Sequence, residues 1–456
     1  MRARVGGVEP GRAAWLSVAA ALLLSVGTAS TDPTPSTILA LVALLACLVA
    51  ALGLGHSLLG HMGERSVVTI LAVGIAAETV VGIAAPAVLD VRFILAFTAA
   101  AAVGLVALFT TGLRQRIALV GVVGIHFCLM MWMFAAVPLR DMDVHLFQQD
   151  ASQALLGGIN PYGITFENIY GLGTPLYADE VQVGGRLTFG FPYPPLTLLL
   201  ALPGYILGDD VRFAALAAVS LTALLLGFMR SGPMAAGAAV MLLLSPLTAR
   251  VLHNAWTEPF VVLWLGATVL LAVRTSRLTP VALGLLIGTK QYVPLLLPLA
   301  VGLMAEIRRR VGWRAMVGVA IGTAALTALP FFIWGPRDFM FSTVTFHVLQ
   351  PFREDGSTIA ALLHRAGLPM PPTWLGFLVA GVVLVGVLMR APRTPSGFSL
   401  AAATVLIAFF LFSKYAFMNY YFVGMVALLC AVAASEGRAL LHRAYGDDHN
   451  IRSADP

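Results

Sequence analysis

Residues 141–147 read Asp141-Met142-Asp143-Val144-His145-Leu146-Phe147, and the chain runs on through Gly157-Gly158-Ile159-Asn160-Pro161-Tyr162-Gly163 to Phe191-Pro192-Tyr193-Pro194-Pro195-Leu196. This is the first long polar segment in a chain that is otherwise almost continuously apolar. It gathers acids, amides, aromatics, glycines and prolines just beyond the end of an apolar run. A carboxylate there sits at the edge of a bilayer, where it stays ionised and still reaches a substrate carried on lipid. The rest of the chain reads as the scaffold that holds this loop at that depth.

Composition agrees with that placement. Over 456 residues, 59% are hydrophobic and only 11% charged, whereas a soluble domain carries about a quarter charged residues. Apolar runs of about 17–25 residues alternate with short loops, which makes the expected fold all-α: a polytopic membrane helix bundle of about 12–14 spans, with short re-entrant or half-helices. The formal charge of +6 comes from arginines scattered in short loops and the tail. The preference of basic loops for the cytoplasmic side accounts for them, and no nucleic-acid partner is expected. Cys47, Cys128 and Cys430 lie in apolar runs, with neither metal nor redox spacing, and read as packing residues.

Met1 to Arg12 is basic and Ala13 to Ser30 apolar, read as a retained first span rather than a cleaved leader. Further runs at 36–55, 67–88, 92–112 and 117–138 complete an N-terminal membrane region, 1–138. Basic loops at His56–Arg65 and Arg114–Arg116 read as cytoplasmic, which places 139–190 outside as a first, catalytic loop. Counting back from a cytoplasmic tail, 438–456, through the C-terminal spans of 373–437 puts a second loop, 335–372, on the same outer side. Between them, the central membrane region of 191–334 resists plain crossings, which would leave Arg274 and Arg277 outside. Two of its segments are broken by proline: 191–208 by Pro192, Pro194, Pro195 and Pro203, and 279–303 by Pro280 and Pro294, with Lys290 between them. If each dips in and returns, or is a pair of half-helices, Arg230, Arg274 and Arg277 move inside and His253–Glu258 moves outside.

The Gly157–Tyr162 turn is a helix stop, so Asp143 to Leu156 should form a short interfacial helix with the acid in its first turn. Leu146, Phe147, Ala154 and Leu155 are its apolar candidates for the membrane. Asp141 and Asp143, two apart, point to different faces of a helix, so one of them acts alone if either acts.

With these residues in order, the chain resembles the GT-C membrane glycosyltransferases. It is most similar to the actinobacterial polyprenyl-phosphate-mannose-dependent mannosyltransferases of glycosyltransferase family 87. The similarity rests on Asp143-xxx-Phe147, on Gly157-Gly158-x-Asn160-Pro161-Tyr162 and on Tyr193-Pro194-Pro195-Leu196. There are departures: five spans precede the aspartate, and the aromatic is Phe147 rather than tyrosine. The resemblance implies transfer of a sugar, mannose, from a polyprenyl-phosphate donor to a glycolipid or cell-envelope glycan. The reaction would take place on the outer face of a bacterial plasma membrane, with the bilayer as a further partner and no cofactor.

Such a reaction needs one carboxylate as general base, Asp143 or else Asp141, and cations or hydrogen-bond donors for the departing phosphate. Lys290, Arg353, Lys414 and His347 are the candidates for the phosphate. Asn160, Tyr162, Tyr193, His253, Asn254, Glu258 and Tyr420 are candidates for substrate binding. Asp141-x-Asp143 also spells a metal-binding pair, but no metal is expected. A lipid-linked sugar flippase is the competing reading, because proline-broken helices and an intramembrane lysine also suit transport.

Overall fold

The computed structural model describes residues 10–27, 34–53, 64–84, 90–139 and 142–435. Asp141, the stretch from His56 to Gly63 and the basic tail lie outside the described residues. The described residues are mostly helical, with one small sheet and irregular loops between the elements. Among the described residues, five helices are long and apolar enough to cross a membrane, namely Arg65–Ala84, Val91–Phe109, Gly112–Ala136, Trp313–Trp334 and Pro395–Phe412. Two bent helix pairs pass the same test, and six shorter apolar helices of 10–17 residues pack among them.

The N-terminal helices are α1 (Pro10–Gly27), α2 (Pro35–Gly53), α3 (Glu64–Ala84), α4 (Val91–Phe109) and α5 (Gly112–Ala136). Next comes α6 (Asp143–Leu156), bounded as its sequence signals require. Gly158 takes φ +73°. The Gly158 N–H then donates to Leu155 O and the Ile159 N–H to Ala154 O, which closes the helix in a Schellman motif. The apolar side of α6 does not all face lipid. Phe147 and Ala154 are buried, and Phe147 packs with Phe166, Tyr177, Val181, Leu187, Phe189 and Phe346 in a separate small core above the bundle. The membrane-facing placement expected for Phe147 is thereby corrected.

That core is built on a sheet the sequence reading did not anticipate: β1 (Phe166–Glu167), β2 (Gln182–Val183) and β3 (Arg186–Leu187), in the order β1-β3-β2 and antiparallel. Gly184 and Gly185, at φ +56° and +81°, supply the two left-handed positions of its tight hairpin.

Helices α7 (Pro195–Gly208) and α8 (Arg212–Gly227) meet at 115°. The corner is pinned to α6: Gln149 Nε2 donates to Asp209 O (2.9 Å) and its Oε1 accepts from the Val211 N–H (3.1 Å). α7 packs along α6 and runs unbroken through Pro203, so the bend falls at Asp209–Val211, after the proline-rich segment of 191–208 and not at its prolines. Helices α9 (Pro233–Leu244) and α10 (Pro246–His253) bend by 50° at Ser245, where Pro246 cannot continue the ladder. The pair leads into α11 (Glu258–Val273).

The second broken segment is a hairpin of half-helices. α12 (Thr279–Ile287) is nine residues long, about 13 Å at 1.5 Å per residue, less than half of the ~30 Å hydrocarbon core. After a turn at Gly288–Tyr292, α13 (Leu296–Leu303) and α14 (Ala305–Val311) lead back, and Arg310 Nη1 donates to Thr275 Oγ1 (3.3 Å) beside the start of the hairpin. The close approach of α12 to α15 (Trp313–Trp334) needs Gly284, since a Cβ there would stand 2.4 Å from Ala320 O.

The remaining helices are α16 (Pro336–Met340), α17 (Phe346–Leu349), α18 (Ile359–Arg365), α19 (Leu375–Arg390), α20 (Pro395–Phe412) and α21 (Met418–Ala433). The N-terminal helices join this bundle through α1 on α21, with α3 and α4 on α9.

Basic residues mark one end of the bundle. Arg274 Nη2 donates to Phe228 O (3.1 Å), Arg230 Nε to Ala434 O (2.9 Å), and Arg310 reaches Thr275. The loops around α6, the sheet and α16–α18 gather at the other end. If the basic end is cytoplasmic, cysteines replacing Leu172 and Asp338, both exposed, react together with a membrane-impermeant thiol reagent in intact spheroplasts. Labelling of one but not the other contradicts this orientation.

Candidate active site

A cavity of about 440 Å³ opens at the loop end of the bundle, within the range of pockets that hold small polar ligands. Asp143 on α6, Tyr193 before α7, Asn254 after α10, Lys290 at the tip of the half-helix hairpin, His347 on α17, Arg353 and Tyr420 all line it. The tertiary fold thus brings together seven residues spread over nearly three hundred positions.

The first turn of α6 presents Asp143, half-buried, to the cavity. Its Oδ1 accepts from the Val144 N–H (2.7 Å) and its Oδ2 from Tyr177 Oη (2.5 Å), while its own N–H donates to Tyr170 Oη (3.4 Å). Burial pushes the Asp143 carboxyl above its usual range, against the Tyr177 and Val144 hydrogen bonds and the positive Arg353, which act to lower it. Gln148, one turn on, donates to Ala255 O (2.7 Å) and locks α6 over the α10–α11 corner, where Ala255 is held at φ +53°.

Lys290 forms the floor. It is 4% exposed and its Nζ lies 2.9 Å from Oε1 of Glu258, which is 0% exposed. Lys290 also donates to Thr257 Oγ1 and stands 4.2 Å from the centre of the Tyr193 ring. Glu258 therefore sits beneath the cavity as the counter-charge of Lys290, not on its wall. This pairing gives a buried ammonium the partner it requires.

Arg353 is gripped by Asp355 through Nε (2.8 Å) and Nη2 (2.7 Å) and lies over the Phe417 ring at 4.9 Å. It keeps its cationic face on the cavity with donors to spare. His347 is a different kind of group. Burial lowers its pKa to about 4, so it is a neutral imidazole at neutral pH, its Nε2 2.7 Å from the Pro192 carbonyl and its Nδ1 3.4 Å from Tyr415 Oη. Lys414 is off the cavity wall and donates to Val348 O (3.0 Å) and Gln350 O (2.7 Å), fastening the loop that follows α17.

The Asn160-Pro161-Tyr162 turn lies outside the cavity lining and supports it. Asn160 Oδ1 accepts from the Tyr162 N–H (3.0 Å), and Tyr162, 1% exposed, donates to Tyr193 O (2.8 Å). Gly190 is required against this turn, because a Cβ there would stand 2.2 Å from Tyr162 O. His253, the last residue of α10, is also off the lining, whereas its neighbour Asn254 is on it.

Sequence reasoning missed Tyr170, Tyr177, Arg250, Trp256 and Asn419, all of which line the cavity. Arg250 had a usable signal, since it lies four residues, about one helical turn, before Asn254, the residue that caps α10. The two tyrosines had none, for they reach Asp143 only through the folded loop.

Two carboxylates, Asp143 and the Arg353-bound Asp355, line this cavity with cations and aromatic rings at one end of a membrane helix bundle, which defines the class: a multi-pass membrane protein with a charged cavity. The model of glycosyltransferase family 87 matches residues 191–430, more than half of the chain, and the chain belongs to that family. It is accordingly a membrane glycosyltransferase, with a sugar donor and an acceptor. The match takes in Tyr193, Asn254, Lys290, His347, Arg353 and Tyr420 and begins after the loop that carries Asp143. The comparisons with curated proteins and with solved structures returned no match.

Proposed function

We propose that the protein transfers a sugar, mannose, from a polyprenyl-phosphate donor to a glycolipid or cell-envelope glycan on the extracytoplasmic face of the plasma membrane. Asp143 is the general base. The observation that carries this reading is the placement of Asp143 in the same cavity as the Arg353 guanidinium and Lys290, the other carboxylate there, Asp355, being held by Arg353. The acceptor hydroxyl gives its proton to Asp143 as its oxygen attacks the anomeric carbon, and the bond from that carbon to the phosphate oxygen breaks. Arg353 takes up charge growing on the departing phosphate. A cavity of this size holds a sugar phosphate and leaves the polyprenyl chain in lipid.

The test is purified protein in liposomes with radiolabelled polyprenyl-phosphate mannose and a glycolipid acceptor. Label passing to the acceptor is expected. Movement of the donor lipid across the bilayer without transfer would establish a flippase instead. Because cationic side chains serve the phosphate, activity is expected to persist in EDTA. Loss of activity that manganese or magnesium restores would return a metal to the mechanism.

A further inference from the structure

We infer that Tyr177 is a positioning residue that holds the Asp143 carboxylate ionised and aimed into the cavity, through a roof that the loop between β1 and β2 folds over the site. The inference rests on the reading of Asp143 as the base. Tyr177 Oη donates to Asp143 Oδ2 at 2.5 Å, a shorter hydrogen bond than the one this carboxylate accepts from the Val144 N–H.

The hydroxyl is not there by chance of an exposed loop. Tyr177 is 4% exposed, and its ring stands 6.0 Å from that of Phe189, which in turn stacks at 3.8 Å on Phe346 of the second loop. Gln182 Nε2 donates to the carbonyls of Thr174 (3.0 Å) and Tyr177 (2.9 Å), and Asn168 Nδ2 donates to Gly171 O (2.7 Å) and Gln182 Oε1 (3.1 Å). These bonds tie both ends of the roof to the sheet, so the phenol has one position.

The consequence is electrostatic. Burial disfavours the charged carboxylate, and a donor aimed at one of its oxygens favours it. The charged and titratable groups that bear on Asp143 are Arg353 from the second loop, Tyr170 and Tyr177 from the roof, Tyr193 before α7 and Tyr420 on α21. Arg353 acts as a charge, already engaged by Asp355. Tyr170 accepts from the Asp143 N–H. Tyr177 gives the carboxylate its stronger side-chain hydrogen bond, at 2.5 Å, and Tyr170 a weaker one. His145 on the same helix turns to Asp210, 3.6 Å away.

The test reads the ionisation of Asp143 twice. Turnover against pH gives an acid limb, and labelling of Asp143 by a hydrophobic carbodiimide, followed by mass spectrometry, reports the protonated carboxyl without any turnover. In Tyr177→Phe both midpoints move up by about one to two pH units, as expected for losing one hydrogen bond to a charged group. Tyr170→Phe moves the midpoints less. A 3-fluorotyrosine at position 177, a stronger donor of the same shape, moves them down and serves if Tyr177→Phe does not fold. Midpoints unmoved in both position-177 variants overturn the inference. A labelling midpoint that moves while the acid limb of turnover stays put supports the hold of Tyr177 on Asp143 and rejects Asp143 as the base.

Discussion

Replacing Asp143 by asparagine lowers turnover by about 10²–10⁴-fold, the usual cost of removing a general base. Expression and the folded state are expected to stay close to wild type. Asparagine has the same shape: its oxygen can keep accepting from the Val144 N–H while its amide N–H donates to the Tyr177 hydroxyl oxygen, in place of the bond Tyr177 gives the aspartate, so the side chain stays seated and the variant removes proton transfer. Donor-lipid binding, measured by retention of radiolabelled polyprenyl-phosphate mannose, should persist. Turnover by the wild type falls as pH drops through the folded-state pKa of Asp143, because only the ionised form accepts a proton. Burial raises that pKa above the ~3.9 of a free aspartate. Normal turnover by Asp143→Asn would remove the carboxylate from the mechanism and leave Asp141, outside the described residues, to be tested in its place.

The second large effect lies on the cavity floor. Lys290→Met leaves Glu258, 0% exposed, with its charge uncompensated, and breaking a buried pair in this way costs about 3–5 kcal/mol. Glu258→Gln does the reverse to Lys290 and should be destabilising to a similar degree. The double variant Lys290→Met/Glu258→Leu removes both charges and recovers most of the thermal stability in detergent, since a buried pair contributes little net once both members are gone. A double variant that loses as much stability as the two single variants together would show that the pair is not coupled. Activity separates the two roles: a stable but inactive double variant assigns the Lys290 ammonium to the donor phosphate, and a stable active one assigns it to the floor alone.

Much of this architecture was written locally. Composition and run length determined a membrane helix bundle, because backbone groups in hydrocarbon must bond within their own segment and only helices do so along one chain segment. Gly157-Gly158 determined the end of α6, because only a left-handed residue closes a Schellman turn without a Cβ penalty. Pro280 with Pro294 marked the segment that folds into half-helices, because proline removes a ladder donor and clashes with the preceding turn, whereas Pro203 sits inside α7 and the bend comes after it, at Asp209–Val211. The order of the short motifs pointed to the family.

Tertiary structure alone decided what each side chain does at the site. Tyr177 reaches Asp143 across 34 positions, and His347 reaches the Pro192 carbonyl across 155. Lys290 was legible as an unusual intramembrane cation, but its pairing with Glu258 depends on how far the half-helix hairpin rises beside the start of α11. Asn160 and Tyr162 read as substrate candidates and fold into the support under Tyr193, and Lys414 read as a phosphate ligand and fastens a loop. The sheet hairpin at Gly184-Gly185 carried a recognisable turn signal, yet its two-residue strands are too short to show an alternating pattern. Periodicity and breakers act within a few residues and can be read along the chain, whereas hydrogen bonds and ion pairs between distant segments exist only once packing has set the distances.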